Sequence, residues 1–383
     1  MTHTSTNQIK RAVALSSAAA AAGLLLLLGS TSAYALPPDC LGNSATIVRG
    51  AGSQTIVGTP GDDVIVAGSG NDVIRGLGGA DTICGGSGKD QVHGGEGDDY
   101  ILGETGNDLL DGGAGSDHVV GDVATDGPTD PLTARAGKDN IFGGDEGSSP
   151  ASDILIGDNA SQTASRVSGA APDTIRGGVG GGEIYGDSAA GSGIAQGGAA
   201  DKISSSASDD PAVALVFGDG AGQTGAVGCG SDRIRVKLTY VVVMADATTR
   251  TGDARGACKD AISATTSMGA TVLSDPYTES GDAVGSAPDR ITTGSGPDFV
   301  SADSYAVSGS ASGSAADLIR TGAGDDSIWG DHGSTPSTGG GRDKIFAGGG
   351  ADTIYGGPMR DLCDGGAGSS DQAFECEITL GIP

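Results

Sequence analysis

The chain has 383 residues, among them 72 Gly but only 1 Trp, 7 Tyr and 5 Phe, and it carries 49 acidic against 21 basic side chains. Gly near one residue in five, against about 7% in ordinary proteins, leaves too few large apolar side chains for a conventional two-layer enzyme; with 14 Pro and no Gly-X-Y triplets it is not collagen either. A net charge of −28 excludes nucleic acid, whose phosphates demand clustered Lys and Arg, and suits a hard cation, above all Ca²⁺.

Residues 1–35 read as a signal peptide. Lys10 and Arg11 precede an apolar run over 12–28, and Ala33-Tyr34-Ala35 is an A-x-A cleavage site that would leave Leu36 first. No lipobox precedes Cys40, and no later segment approaches about 20 apolar residues. The expectation is a secreted, extracellular protein, not membrane-embedded after cleavage. Residues 36–57 read as an N-terminal cap with a degenerate repeat.

From 58 to 120 seven nine-residue units run without a gap, and residues 58–122 form the strict array. The sixth position is always Asp: Asp63, Asp72, Asp81, Asp90, Asp99, Asp108 and Asp117. The fourth is always Gly, from Gly61 to Gly115, and the eighth is always aliphatic, from Ile65 to Val119. Glycines allow the positive φ angles of a tight turn. Positions six and eight lie two apart, so in an extended segment both face inward, with positions seven and nine outward. Val64, Arg75, Gln91, His93, Tyr100 and His118 make that outward set. The units therefore coil into an all-β, parallel solenoid with two nine-residue turns per coil.

This pattern resembles the RTX, or haemolysin-type, calcium-binding repeat G-G-x-G-x-D-x-U-x, strictly over 58–120 and weakly beyond. The resemblance implies a β-roll in which stacked glycine turns hold multiple Ca²⁺ between sixth-position carboxylates and turn carbonyls. Elementary electrostatics agrees. Strands about 4.8 Å apart bring carboxylates of adjacent coils close together, at a cost of roughly 3 kcal/mol per uncompensated pair. One aliphatic per nine residues returns about 1.5–3 kcal/mol, less than ordering nine residues consumes. Folding and Ca²⁺ binding are expected to be one event.

Residues 123–292 read as degenerate repeats with loop insertions on one side of the roll. Strands ending in Gly121-Asp122, Gly157-Asp158, Gly186-Asp187, Gly218-Asp219, Ala245-Asp246, Ala302-Asp303 and Gly330-Asp331 each precede extra residues, and 246–286 reads as one long loop. Gly182, Ala214 and Val241 occupy sixth positions, so their turns are not expected to bind in the family manner. Ala171, Ala199, Ala287 and Ala315 replace fourth-position Gly, and Met359 does so before Asp361; these turns also leave the pattern.

Residues 293–376 return to the repeat and end in a cap, with Asp298, Asp326 and Asp352 as a second expected Ca²⁺ cluster; 377–383 reads as a tail. Six Cys in an exported chain suggest disulfides, with fifteen possible full pairings. Repeat phase brings the loops of Cys229 and Cys258 together, Cys363 and Cys376 flank the last unit, and Cys40 with Cys84 follows by elimination only.

No nucleophile elbow, Walker A loop, dinucleotide fingerprint, zinc spacing or triad stands out. The reading is therefore a non-enzymatic calcium-binding repeat protein with a structural or surface-interaction role. One alternative is an adhesin or recognition protein that binds a cell-surface or extracellular partner through the loop side. A less favoured one is an extracellular hydrolase. Contrary to common RTX practice, the export signal is N-terminal, which argues for a general secretory route.

Overall fold

The computed structural model describes residues 39–382 apart from 126–131, 145–151, 179–181, 207–212, 332–336 and 369; the signal-peptide reading of 1–35 and His332 lie outside the described residues. Strands of mostly three to seven residues follow each repeat centre, because only two or three extended positions separate one glycine turn from the next. They stack in parallel into two 14-stranded sheets. The first sheet runs from Thr55–Val57 to Ile378–Leu380, the second from Ile47–Val48 to Gln372–Phe374. In the strict array Ile74 lies on Val92 and Ile65 on Ile83, so two nine-residue units close one coil of an all-β parallel roll.

Alternation decides what is buried. Each strand sends one aliphatic inward: Ile56, Ile74, Val92, Leu110, Ile141 and Ile175 begin one column, Ile65, Ile83, Ile101, Val119 and Leu155 the other. Arg75, Gln91 and His93 face solvent, while Val64, Tyr100 and His118 are half-buried on the outer face.

From residue 122 the coils widen. The extra residues do leave from one side, but they are not loops: they form two further parallel sheets, of seven and eight strands. Strands such as Ala160–Ser161, Ala189–Ala190 and Ala221–Gly222 build one, and Arg166–Ser168, Ile194–Gln196 and Gly225–Val227 the other. Their interior is narrow and takes small side chains, with Val167, Ala195, Ala226, Ala254, Ala283 and Ala311 buried in one column. Asn159 Nδ2 donates to Ser168 O at 3.0 Å and Ser188 Oγ to Gly169 O at 2.8 Å, pinning one inserted sheet to the other.

The fold departs from the sequence expectation at two places. The stretch 246–286 is not a long loop but coil. Ala261–Thr266 pairs between Arg233–Leu238 and Arg290–Thr293, and Ala270–Leu273 between Tyr240–Met244 and Phe299–Ser301. The cause is Asp260-Ala261-Ile262, which repeats the acid-x-aliphatic core. Nor is 377–383 a mere tail: Ile378–Leu380 is the last strand of the first sheet, paired with Leu362–Asp364, because Glu377 supplies the acid that precedes it. The cysteines pair as Cys40–Cys84, Cys229–Cys258 and Cys363–Cys376.

Candidate metal centre

All ten Asp residues singled out in the sequence are buried, none more than 5% exposed. They divide between the two edges of the roll. On the tight edge, where the chain passes from the first sheet to the second, lie Asp63, Asp81, Asp99, Asp117, Asp298, Asp326 and Asp352. On the opposite edge, where the insertions emerge, lie Asp72, Asp90 and Asp108.

Within each column one carboxylate oxygen has a structural task. Asp81 Oδ1 accepts from Asp63 N at 2.8 Å, Asp99 Oδ1 from Asp81 N at 2.8 Å and Asp117 Oδ1 from Asp99 N at 2.9 Å. On the insertion edge the same bond links Asp72 to Asp90 and Asp90 to Asp108. It then continues without a break through Asp139, Asp173, Asp201, Asp232, Asp260, Asp289, Asp317 and Asp343 to Asp361. The insertion-edge acids thus keep their sixth-position placement although Ala171, Ala199, Ala287 and Ala315 stand in the turn. The tight-edge column breaks at Gly182, Ala214 and Val241, as the sequence implies, and also at Ala270. It resumes where Ala270 N donates to Asp298 Oδ1, then runs through Asp326 and Asp352 to Asp371.

The other oxygen, Oδ2, is buried with no hydrogen-bond donor at Asp72, Asp81, Asp90, Asp99, Asp108, Asp117, Asp326 and Asp352. First-position glycines show what surrounds it. A Cβ on Gly94 would collide with Asp99 Oδ2 and Gly112 O, and one on Gly103 would lie 2.7 Å from Asp108 Oδ2 and against Gly121 O. Turns with a first-position glycine are therefore cradles in which a carboxylate oxygen and a backbone carbonyl of the next coil converge; at Asp63 and Asp298 that oxygen is not idle, since it accepts from Thr59 N at 2.6 Å and from Thr293 Oγ1 at 2.5 Å. Among the described residues no three His, Cys, Asp or Glu side chains converge on one point, so a cation here would draw on these carbonyls. All-oxygen donor sets of carboxylate and carbonyl are what Ca²⁺ takes. The residues fit the ion.

Burial makes the bare carboxylates costly. Desolvation pushes Asp99 up to about 6 and Asp108 and Asp117 up to about 7, with Asp–Asp repulsion adding to it and backbone N–H bonds opposing it. The ion pairs among the described residues, His93–Asp111, Arg250–Glu279 and Arg255–Asp253, are all on the surface and neutralise none of these acids.

A further set of buried acids escaped the sequence reading as candidate ligands. Asp122, Asp158, Asp187, Asp219, Asp246, Asp275, Asp303 and Asp331 stand at the second position of each widened turn, and all are buried. Compact turns on this edge have Gly68 and Gly86 there, each at positive φ. The Gly-Asp recurrence was visible, but it reads as an insertion boundary until the neck of the insertion is seen. Ala199 N donates to Asp187 Oδ2 at 3.0 Å and Gly230 N to Asp219 Oδ2 at 2.8 Å, so each Asp staples the two ends of its excursion.

No helix among the described residues is long and apolar enough to cross a membrane. A comparison with curated proteins returns no match. The RTX calcium-binding nonapeptide repeat (4 copies) family matches at residues 50–83, 57–92, 85–119, 93–126, 312–334 and 337–370, which are the compact array and the C-terminal coils.

Proposed function

We infer, from a chain that carries RTX calcium-binding nonapeptide repeats, that this is an exported, non-catalytic scaffold whose roll folds as Ca²⁺ fills its turns. Asp63, Asp72, Asp81, Asp90, Asp99, Asp108, Asp117, Asp298, Asp326 and Asp352 each offer a buried carboxylate to one ion. The carrying observation is the idle, buried Oδ2 beside a glycine carbonyl, repeated coil after coil. Two carboxylates stacked without a counter-ion repel, and the thin aliphatic column cannot offset many such pairs. Calcium sites of extracellular modules have dissociation constants of about 10⁻⁴–10⁻³ M, so the chain would stay open inside the cell and close outside it. The domain division follows: a signal peptide over 1–35, a cap to 57, a compact array over 58–122, widened coils over 123–292, and closing repeats over 293–376 with the final strand beyond. Circular dichroism of the chain from Leu36 with Ca²⁺ and with a chelator tests the reading. Strand signal that survives complete Ca²⁺ removal at neutral pH would sink it.

A second reading, recognition of an extracellular partner, is favoured by one feature. The outer face of the second sheet and the first inserted sheet enclose a groove of about 580 Å³, in which Tyr185 stacks on Phe217 at 4.7 Å beside Tyr277. Stacked rings with a polar rim suit a sugar face or an aromatic peptide side chain. A glycan array with the parent chain and Phe217→Ser addresses it; equal binding by both, or none by either, counts against the groove. Deleting 246–286 would not serve, since it removes a coil.

A further inference from the structure

Going beyond the nonapeptide turns, we propose that the widened coils hold a separate row of divalent cations, of the Ca²⁺ type, between their second-position and sixth-position aspartates. The nonapeptide pattern places Gly, not Asp, at the second position, and the family match skips 127–311. These sites are therefore this chain's own.

Each widened coil buries two acids on one edge: Asp158 with Asp173, Asp187 with Asp201, Asp219 with Asp232. In every pair one oxygen of each acid is occupied by a backbone N–H. Asp201 Oδ1 accepts from Asp173 N at 2.7 Å, while Asp187 Oδ2 accepts from Ala199 N at 3.0 Å. The remaining oxygens, Asp201 Oδ2 and Asp187 Oδ1 among them, are buried and receive no donor from backbone or basic side chain. The Asp187 carboxyl is repelled by those of Asp201, Asp219 and Asp158 around it, and Asp187 Oδ1 receives no hydrogen bond. Backbone oxygen is also at hand, since a Cβ on Gly186 would collide with both Asp201 Oδ2 and Gly218 O, and one on Gly218 with Asp232 Oδ2 and Ala245 O.

Two carboxylates per coil carry the charge that one divalent cation cancels. The widened turn keeps the carbonyl cradle of the compact repeat, and the second-position Asp adds an anionic oxygen from the other lip of the turn. Glu104 begins the series one coil early: it lies at φ 68° on Gly86, in the position the Asp column then takes over. The competing occupant is the proton, shared from carboxyl to carboxyl along the column.

The test uses the full secreted chain, crystallised in Ca²⁺ and soaked with Tb³⁺ as the probe. Anomalous density between Asp187 and Asp201 and between Asp219 and Asp232 is the expected result. Density at the compact turns alone, with the Asp187–Asp219 column empty, overturns the inference and leaves calcium-driven folding intact; density in the widened coils alone does the opposite. In solution, Asp187→Asn with Asp219→Asn keeps both neck staples but is expected to lower the Ca²⁺ count per folded chain by about one ion per substitution. An unchanged count in the folded double variant overturns the proposal. Should that variant fail to fold, the diffraction result on the parent chain decides.

Discussion

The compact array over 58–120 and the middle coils around 214–272 solve one problem in opposite ways on the tight edge. In the array an Asp at every sixth position faces a glycine cradle, and each strand gives one aliphatic to the central column, with Leu102 and Val120 buried in a separate cluster on the outer face. In the middle, Ala214, Val241 and Ala270 replace the acids and are themselves buried, joined by Val216, Val236, Leu238, Val243, Ala264 and Val272 in a thicker apolar core. Where the chain gives up a charge it adds hydrocarbon, and the backbone register does not change. Nine-residue spacing therefore encodes a shape that either ions or oil can fill.

The largest expected effect separates the two. Chelating Ca²⁺ is expected to abolish amide-exchange protection over 58–120 and 298–371 first, with 234–273 the last region to open; simultaneous loss everywhere would erase the distinction. Next, Ile234→Ala in the oily segment is expected to cost about 2–5 kcal/mol in the Ca²⁺-loaded chain, read by denaturant unfolding. Gly94→Ala fills a cradle in the array and is expected to weaken Ca²⁺ affinity at least tenfold by titration calorimetry, whereas Gly349→Ala, whose Cβ would have only Ala367 O at 3.6 Å, is expected to change it little.

Acidity offers a gentler probe. The folded values of about 6 for Asp99 and about 7 for Asp108 and Asp117 lie above the unfolded carboxylate value near 3.9. The folded state then binds protons more tightly than the unfolded one, so stability of the calcium-free chain falls as pH rises from about 4 to about 7. Circular dichroism without Ca²⁺ is expected to regain strand signal on acidification through that window, while the loaded chain stays flat. The smallest effect is expected at Arg255→Ala, which breaks an exposed pair with Asp253 and should leave the denaturant midpoint of the Ca²⁺-loaded chain unchanged.

Much of this was legible in the sequence because the signal is periodic and local. Asp, Gly and an aliphatic in fixed phase dictate which side chains face in, and the same phase placed Cys229 beside Cys258. What escaped depends on partners about 28 residues away. Two-residue strands such as Ala189–Ala190 and Ala221–Gly222 have no alternation to read, and only stacking on equivalents in the next coil makes them sheet. The coil at Asp260 was hidden because Cys258 holds its fourth position and Ala270 its return centre. Asp260-Ala261-Ile262, set against Asp201-Lys202-Ile203 and Asp232-Arg233-Ile234, is the signal that could have found it. In the sequence the second-position acids read as punctuation; only their burial marks them as interior groups.

The acid spine also has a direction. Every amide along it, from Asp72 to Asp343, donates to the carboxylate of the following coil and never to the preceding one, and the last, Asp361 N, is received by Glu377 Oε2 at 2.9 Å. A chain made from its N-terminus thus always has its newest coil one acceptor short, and the row closes only when Glu377 arrives. Synthesis and sealing run the same way, so a chain truncated before that residue frays from its trailing end, where exchange of the Asp361 amide would report it.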